Sequence, residues 1–320
     1  MLSQIFLRLS AVCGLLCVGV LVLVMAMGTL FPAQQVIYQS NRDNHSYLYI
    51  LDMERGVELP FRTDGRIYVG SEWSPDGQWL VTAVRDEFGQ LSLWLLDANG
   101  RHLRPIENLP ANSYLPRWSP DAEQIAFVSD ADGDYEIYSI SLATGEVQQL
   151  THNDATDEHP TYSPDGQQIA FISRQGAEGF QDMYLMDADG SNQRALTSDR
   201  AQDAIPSWSA DGQTLLWFSE RAPGNPCIYE RPQRRQSCFG HGDIFTMHLA
   251  SGEVRRLTQR TGFYWAPRYL PDGETVLLAS AFQRGAHSVR SIYTLSAAGR
   301  LTRLTGEQGH ENFPSWRPRT

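Results

Sequence analysis

The sequence predicts an all-β protein, a six-bladed β-propeller of four-stranded blades whose ring is closed by strands from both ends of the chain. Two repeated patterns predict it. Five segments join an aromatic residue to a tight turn: Trp73-Ser-Pro-Asp-Gly77, Trp118-Ser-Pro-Asp-Ala122, Tyr162-Ser-Pro-Asp-Gly166, Trp208-Ser-Ala-Asp-Gly212 and Tyr269-Leu-Pro-Asp-Gly273. A sixth, Pro314-Ser-Trp316-Arg-Pro318, lies near the C-terminus. Successive aromatics stand 45, 44, 46, 61 and 47 residues apart, the period of propeller blades. A second pattern keeps the same register: apolar-aromatic pairs such as Ile137-Tyr138, Met183-Tyr184 and Ile292-Tyr293, then a glycine, and in four repeats Leu-Thr at Thr151, Thr197, Thr258 and Thr305.

Each repeat reads as four strands. Around Trp118, residues 116–118 form the first, 124–129 the second, 136–141 the third and 146–150 the fourth. Ser-Pro-Asp-Gly makes the first turn, with Pro presetting φ, Asp capping the backbone and Gly taking positive φ. Apolar residues fill consecutive positions in the middle strands, as strands covered on both faces require. The Trp and Tyr anchors are expected to pack between blades. The ends of the chain complement each other. Residues 313–318 read as a first strand with no blade after it, and 36–40 and 47–52 as second and third strands with none before. Joined, they close the ring, with Phe313 and Trp316 expected to be buried.

Before the propeller, residues 11–31 carry no charge and are long enough to span a bilayer as a helix. Arg8 is the only charged side chain ahead of them, which places residues 1–10 in the cytoplasm and the 36–320 propeller outside. This predicts a single-pass cell-membrane protein. The alternative is a cleaved signal segment, which leaves the propeller secreted or periplasmic. The 26 basic residues, all arginine, face 37 acidic ones, a net charge of −11. That balance argues against nucleic acid and anionic lipid surfaces as main partners. The absence of lysine removes Schiff-base chemistry.

Cys227 and Cys238 lie in the one long insertion, within the 61-residue repeat. In an oxidising compartment they are expected to form a disulfide, with a metal site completed by His241 as the rival. The insertion also carries Arg221, Tyr229, Arg231, Arg234, Arg235 and Phe239. A positive, aromatic loop on an acidic domain predicts a partner-binding loop.

The run from Tyr162-Ser-Pro-Asp-Gly to Met183-Tyr-Leu-Met-Asp-Ala-Asp-Gly190 and Leu196-Thr197 resembles the TolB-like (WD-like) propeller repeats, and the resemblance extends over residues 36–320. It implies a protein-binding module. The α/β domain that precedes the propeller in TolB itself is not matched here.

No Gly-x-Ser-x-Gly elbow, HExxH helix, phosphate loop or dinucleotide fingerprint is present. The candidate site is therefore the channel face. Asp157, Asp203 and Glu311 stand three residues before a proline in their repeats, with Ser113 and Tyr264 at the equivalent places and His159 and His310 close by. Carboxylates around a channel suit Ca²⁺, and with histidine they suit Mn²⁺ or Zn²⁺. The plainer reading of the same residues is turn capping. Asp132-Gly-Asp-Tyr135 likewise reads as a calcium loop or as an ordinary hairpin. Two functions follow: a non-enzymatic scaffold binding one or more proteins of the cell envelope, or a channel-site enzyme such as a metal-dependent polysaccharide lyase or hydrolase.

Overall fold

The computed structural model describes residues 34–42, 47–62, 64–176, 179–221, 242–258, 263–281, 289–306 and 309–318. Its 24 strands form six four-stranded antiparallel sheets. Blade 1 contains β1 (Gln35–Ser40), β2 (Tyr47–Asp52) and β3 (Val57–Arg62). Blade 2 is β4 (Ile67–Trp73), β5 (Trp79–Arg85), β6 (Leu91–Asp97) and β7 (Leu103–Pro105). Blade 3 is β8 (Tyr114–Trp118), β9 (Gln124–Ser129), β10 (Glu136–Ser141) and β11 (Val147–Gln149). Blade 4 is β12 (Asp157–Tyr162), β13 (Gln168–Ser173), β14 (Asp182–Asp187) and β15 (Arg194–Ala195). Blade 5 is β16 (Asp203–Trp208), β17 (Thr214–Ser219), β18 (Asp243–His248) and β19 (Glu253–Arg256). Blade 6 is β20 (Phe263–Tyr269), β21 (Val276–Ala281), β22 (Ser291–Leu295) and β23 (Leu301–Arg303). The last strand, β24 (Glu311–Trp316), returns to blade 1 and pairs with β1, giving the order β24-β1-β2-β3.

The apolar runs in the middle strands bury both faces. Residues 125–129 of β9 and 169–173 of β13 are buried without a break. Among the described residues the core divides into six clusters, one at each blade–blade interface. Between blades 4 and 5, Ile172, Met183 and Leu185 meet Trp208, Trp217 and Phe245.

The anchor aromatics sit in these interfaces, with Trp73, Trp118, Tyr162 and Trp208 all buried. Except in Trp73, whose indole N–H is unpaired, their polar side-chain atoms reach the preceding blade. The Trp118 indole donates to the Glu72 carbonyl at 3.2 Å, and that of Trp208 to the Thr161 carbonyl at 3.1 Å. The turn behind each anchor is a closed unit. In Ser119-Pro-Asp-Ala122 the serine hydroxyl donates to Asp121 and accepts from the Gln124 amide at 2.9 Å, while Asp121 accepts from the Glu123 amide at 3.0 Å. The same set recurs at Ser163/Asp165 and Ser209/Asp211. The serine hydroxyl and the backbone amide hold these aspartates below the usual carboxylate range.

One expectation needs correction. Phe313 and Trp316 are half-buried, because Phe313 turns into the channel wall and Trp316 only flanks the blade 1–blade 6 cluster. The predicted span 11–31, the Cys227–Cys238 pair with His241, and Tyr229, Arg231, Arg234, Arg235 and Phe239 lie outside the described residues. Among the described residues no helix is long and apolar enough to cross a membrane.

Ring closure rests on β24, so deleting residues 310–320 is expected to strip β1 of its inner partner and expose the flank of blade 1. Losing a fully packed core aromatic costs about 3–5 kcal/mol, and half-buried Phe313 and Trp316 each contribute less than that. Thermal unfolding followed by circular dichroism should show a lowered midpoint. A parental midpoint would contradict closure through this strand.

Candidate functional site

The innermost strand of every blade carries a one-residue β-bulge. In each, one residue takes positive φ: Gly70, Leu115, His159, Ile205, Ala266 and Phe313. Proline follows in five of the six, at Pro116, Pro160, Pro206, Pro267 and Pro314. The extra residue has no ladder partner, so the missing proline N–H costs little there. Proline also turns the preceding residue away from the right-handed helical region. The bulge re-aims the side chains beside it toward the central channel.

Tyr114, Glu158, His159, Trp265 and Phe313 among them, with Gln181 from just before β14, line a funnel of about 290 Å³ at one mouth of the channel. Across the channel, the His159 ring of blade 4 meets Trp265 of blade 6 edge-on at 6.2 Å. Trp265 in turn meets Phe313 at 6.4 Å and stacks on Phe263 at 6.0 Å. The Tyr114 hydroxyl donates to Glu158 at 2.9 Å, and burial with that carboxylate raises the phenol above its ordinary range. Burial and the Arg117 charge push the His159 imidazole down to about 3, so it is neutral, and its Nδ1 is buried without a partner. The Gln181 amide donates weakly to Glu158 at 3.5 Å, while its oxygen is buried and unpaired. On the far side of the bulges, Arg268 of blade 6 bridges to Glu72 of blade 2. Arg117 nearby is pushed down to about 9 by burial and by Arg268.

The predicted carboxylates lie elsewhere. Asp157, Asp203 and Glu311 are fully buried, each in a different seam between blades. Strand alternation explains this: the residues after Asp157 and Asp203, Glu158 and Ala204, line the funnel while the carboxylates face the neighbouring blade. Their partners are the threonines of the Leu-Thr repeats. Thr197 accepts the Met183 amide at 2.8 Å and donates to Asp203 at 2.7 Å. Thr305 accepts the Ile292 amide at 2.9 Å and donates to Glu311. Thr151 accepts the Ile137 amide at 2.8 Å, and its hydroxyl lies close enough to Asp157 to favour the carboxylate. A constant spacing of six residues from Thr to the carboxylate was the signal that could have revealed these pairs.

Of the five predicted channel residues, only His159 lines the funnel. His310 lies beside blade 1, where its amide donates to Asn41 at 2.5 Å; burial and Arg290 lower its imidazole. From the predicted partner-binding loop, Arg221 is described. Its guanidinium pairs with Asp203 at 2.7 Å and Asp199 at 3.3 Å and packs on the Trp217 ring. Tyr114, Glu158, Gln181 and Trp265 were missed.

A closed six-bladed propeller with an aromatic funnel at one mouth is thus the class of protein this chain represents. The TolB beta propeller domain model matches residues 31–179 and 159–238, and the chain belongs to that family. Over 86 residues it is 33% identical to an uncharacterized protein of Agrobacterium fabrum, a match covering 27% of this chain and 29% of that protein. Over 117 residues it is 26% identical to the uncharacterized peptidase YuxL of Bacillus subtilis, covering 36% of this chain and 16% of the peptidase. The chain therefore matches less than a third of either relative's length. Among solved structures, TolB from Acinetobacter baumannii superposes with a TM-score of 0.71 at 21% identity, over 89% of this chain and 67% of that one. An oligogalacturonate lyase in complex with manganese gives 0.57 at 18% identity, over 84% and 73%. These likenesses show the fold.

In the seam between blades 4 and 5, burial and the neighbouring Asp203 and Asp199 raise Asp182 to about 6. A carboxyl raised above its unfolded value holds its proton more tightly when folded. Stability is therefore lost as pH climbs from the unfolded value toward the folded one, and stays lost above it. Asp182→Asn should leave stability at pH 4 nearly unchanged and gain about 2 kcal/mol by pH 7. Denaturant unfolding of both proteins at several pH values measures that gap; a gap that does not widen with pH would contradict the assignment.

Proposed function

We propose that this protein is a membrane-anchored, extracytoplasmic propeller that acts as a protein-binding scaffold at the cell envelope, with a partner's chain segment docking in the funnel. The funnel's combination of aromatic walls and an unpaired buried acceptor supports the reading. Tyr114, Trp265 and Phe313 offer rigid apolar faces, and aromatic residues dominate binding hot spots. The buried Gln181 oxygen lacks a donor, which the backbone N–H of an extended peptide supplies. A cavity of about 290 Å³ suits a short segment rather than a folded domain. The ring around it is rigid, so little ordering cost falls on this side of the complex.

The likeness to a manganese-bound lyase raises the enzymatic alternative. Among the described residues the funnel offers one neutral imidazole, His159, and one carboxylate, Glu158, already bonded by Tyr114. That donor set is a poor start for a metal centre, which favours the scaffold. The uncharged segment 11–31 behind Arg8 supports the anchor.

Affinity capture from the cell envelope with the full chain as bait tests the docking site. Trp265→Ala, checked as folded at the assay temperature, is expected to lower partner recovery about tenfold or more, as removal of a hot-spot aromatic does. Unchanged recovery would move docking away from the funnel, to the loop around Tyr229 and Arg231. Topology is tested separately. Protease added to intact spheroplasts should digest the propeller, and full protection would overturn the orientation.

A further inference from the structure

The seams between blades follow a rule with one exception. Each of the four seams from blade 3 round to blade 1 buries at least one carboxylate, and in three of them an arginine compensates it. Asp203 is paired with Arg221 at 2.7 Å, Asp243 with Arg256 at 2.9 Å, and Glu311 with Arg42 at 2.8 Å. The seam between blades 3 and 4 buries two, Glu136 and Asp157, both fully. No arginine pairs with either among the described residues. The position that Arg256 occupies in blade 5, opposite the second residue after the third-strand acid, is held in blade 3 by neutral Gln149.

In place of an arginine this seam gathers further acids. Oxygens of Asp132, Asp134 and Glu136 lie within 4.8 Å of one another. Gln149 donates to Asp132 at 2.5 Å, and the Asn153 amide to Glu136 Oε1 at 2.6 Å. Three buried oxygens remain unpaired: Asp134 Oδ2, Glu136 Oε2 and Asp157 Oδ1. Asp132 is exposed and Asp134 partly buried, so the cluster opens to solvent on its hairpin side, but the unpaired oxygens of fully buried Glu136 and Asp157 are costly unless a cation or a proton joins them.

We propose that Asp132, Asp134 and Glu136, backed by Asp157, bind a divalent cation in the charge position that arginine fills in the neighbouring seams. An all-oxygen donor set on a hairpin turn, without histidine or cysteine, selects a hard ion of the Ca²⁺ type. The site adjoins the funnel. Tyr135, between two of the ligands, meets Tyr114 edge-on at 5.5 Å, and its carbonyl accepts the Asp157 amide at 2.7 Å. An ion here fixes the hairpin that supports one wall of the funnel. The competing occupant is a proton shared between Glu136 and Asp157, whose carboxyls are both raised by burial, Glu136 to about 7.

The test uses the full chain, stripped with chelator, and two probes, Ca²⁺ and Tb³⁺. Tb³⁺ should bind with luminescence sensitised by Tyr135 and be displaced by Ca²⁺. Saturating Ca²⁺ should raise the melting temperature by about 5 °C. Asp134→Asn should weaken Tb³⁺ binding about tenfold or more. Gln149→Arg, which installs the neighbouring seam's cation, should melt near the Ca²⁺-loaded temperature without any metal and no longer respond to it. Tb³⁺ affinity unchanged by Asp134→Asn would overturn the site. So would a melting temperature that ignores Ca²⁺ and simply falls as pH rises through neutrality, the signature of a shared proton.

Discussion

The second strand of every blade must be covered on both faces, and the rest of the structure depends on that constraint. Strands such as β9 and β13 have no polar face to give to water, so a blade alone leaves both faces bare and a pair leaves two bare flanks. Only a closed ring covers them all. The hydrophobic core is accordingly split into six radial slabs, one per interface. Water-accessible chemistry is confined to the rims and the channel, which is why the funnel forms where the inner strands bulge.

Two-sided burial also explains the polar chemistry of the seams. Where a strand leaves one blade and enters the next, backbone amides of the third strand would go unpaired at its edge. The threonine of Leu-Thr takes that amide, and a carboxylate takes the threonine's proton. A carboxylate buried for this purpose then needs a counter-charge, and Arg42, Arg221 and Arg256 supply it. The Arg42 cluster joins Glu311, Glu58 and Tyr38, so the same device holds β24 to the blade that begins the chain.

The architecture was legible in the sequence because its signals are local and repeated. The expected strands around Trp118 differ from the observed ones by two residues at the start of the first and by one at each end of the fourth. Closure could be read from the unmatched halves at the two ends. The site was far less legible. Spacing drew attention to Asp157, Asp203 and Glu311 because they are charged and periodic, but they serve the seams. The residues that face the funnel stand one position later, and they share no chemistry: Tyr114, Glu158, Ala204 and Trp265. Gln181 comes from a different part of its blade. A surface assembled from unlike residues at like positions leaves no motif, whereas a turn assembled from like residues does.

The return of β24 to blade 1 has a kinetic side. Synthesis delivers β1, β2 and β3 first and their inner strand last. Until β24 emerges, blade 1 is a three-stranded sheet with an open inner edge. The early blades can stack on one another as they appear, but the ring cannot lock. Closure of the ring therefore waits on pairings between residues separated by some 275 positions, and the nascent protein carries an unpaired strand edge until they form.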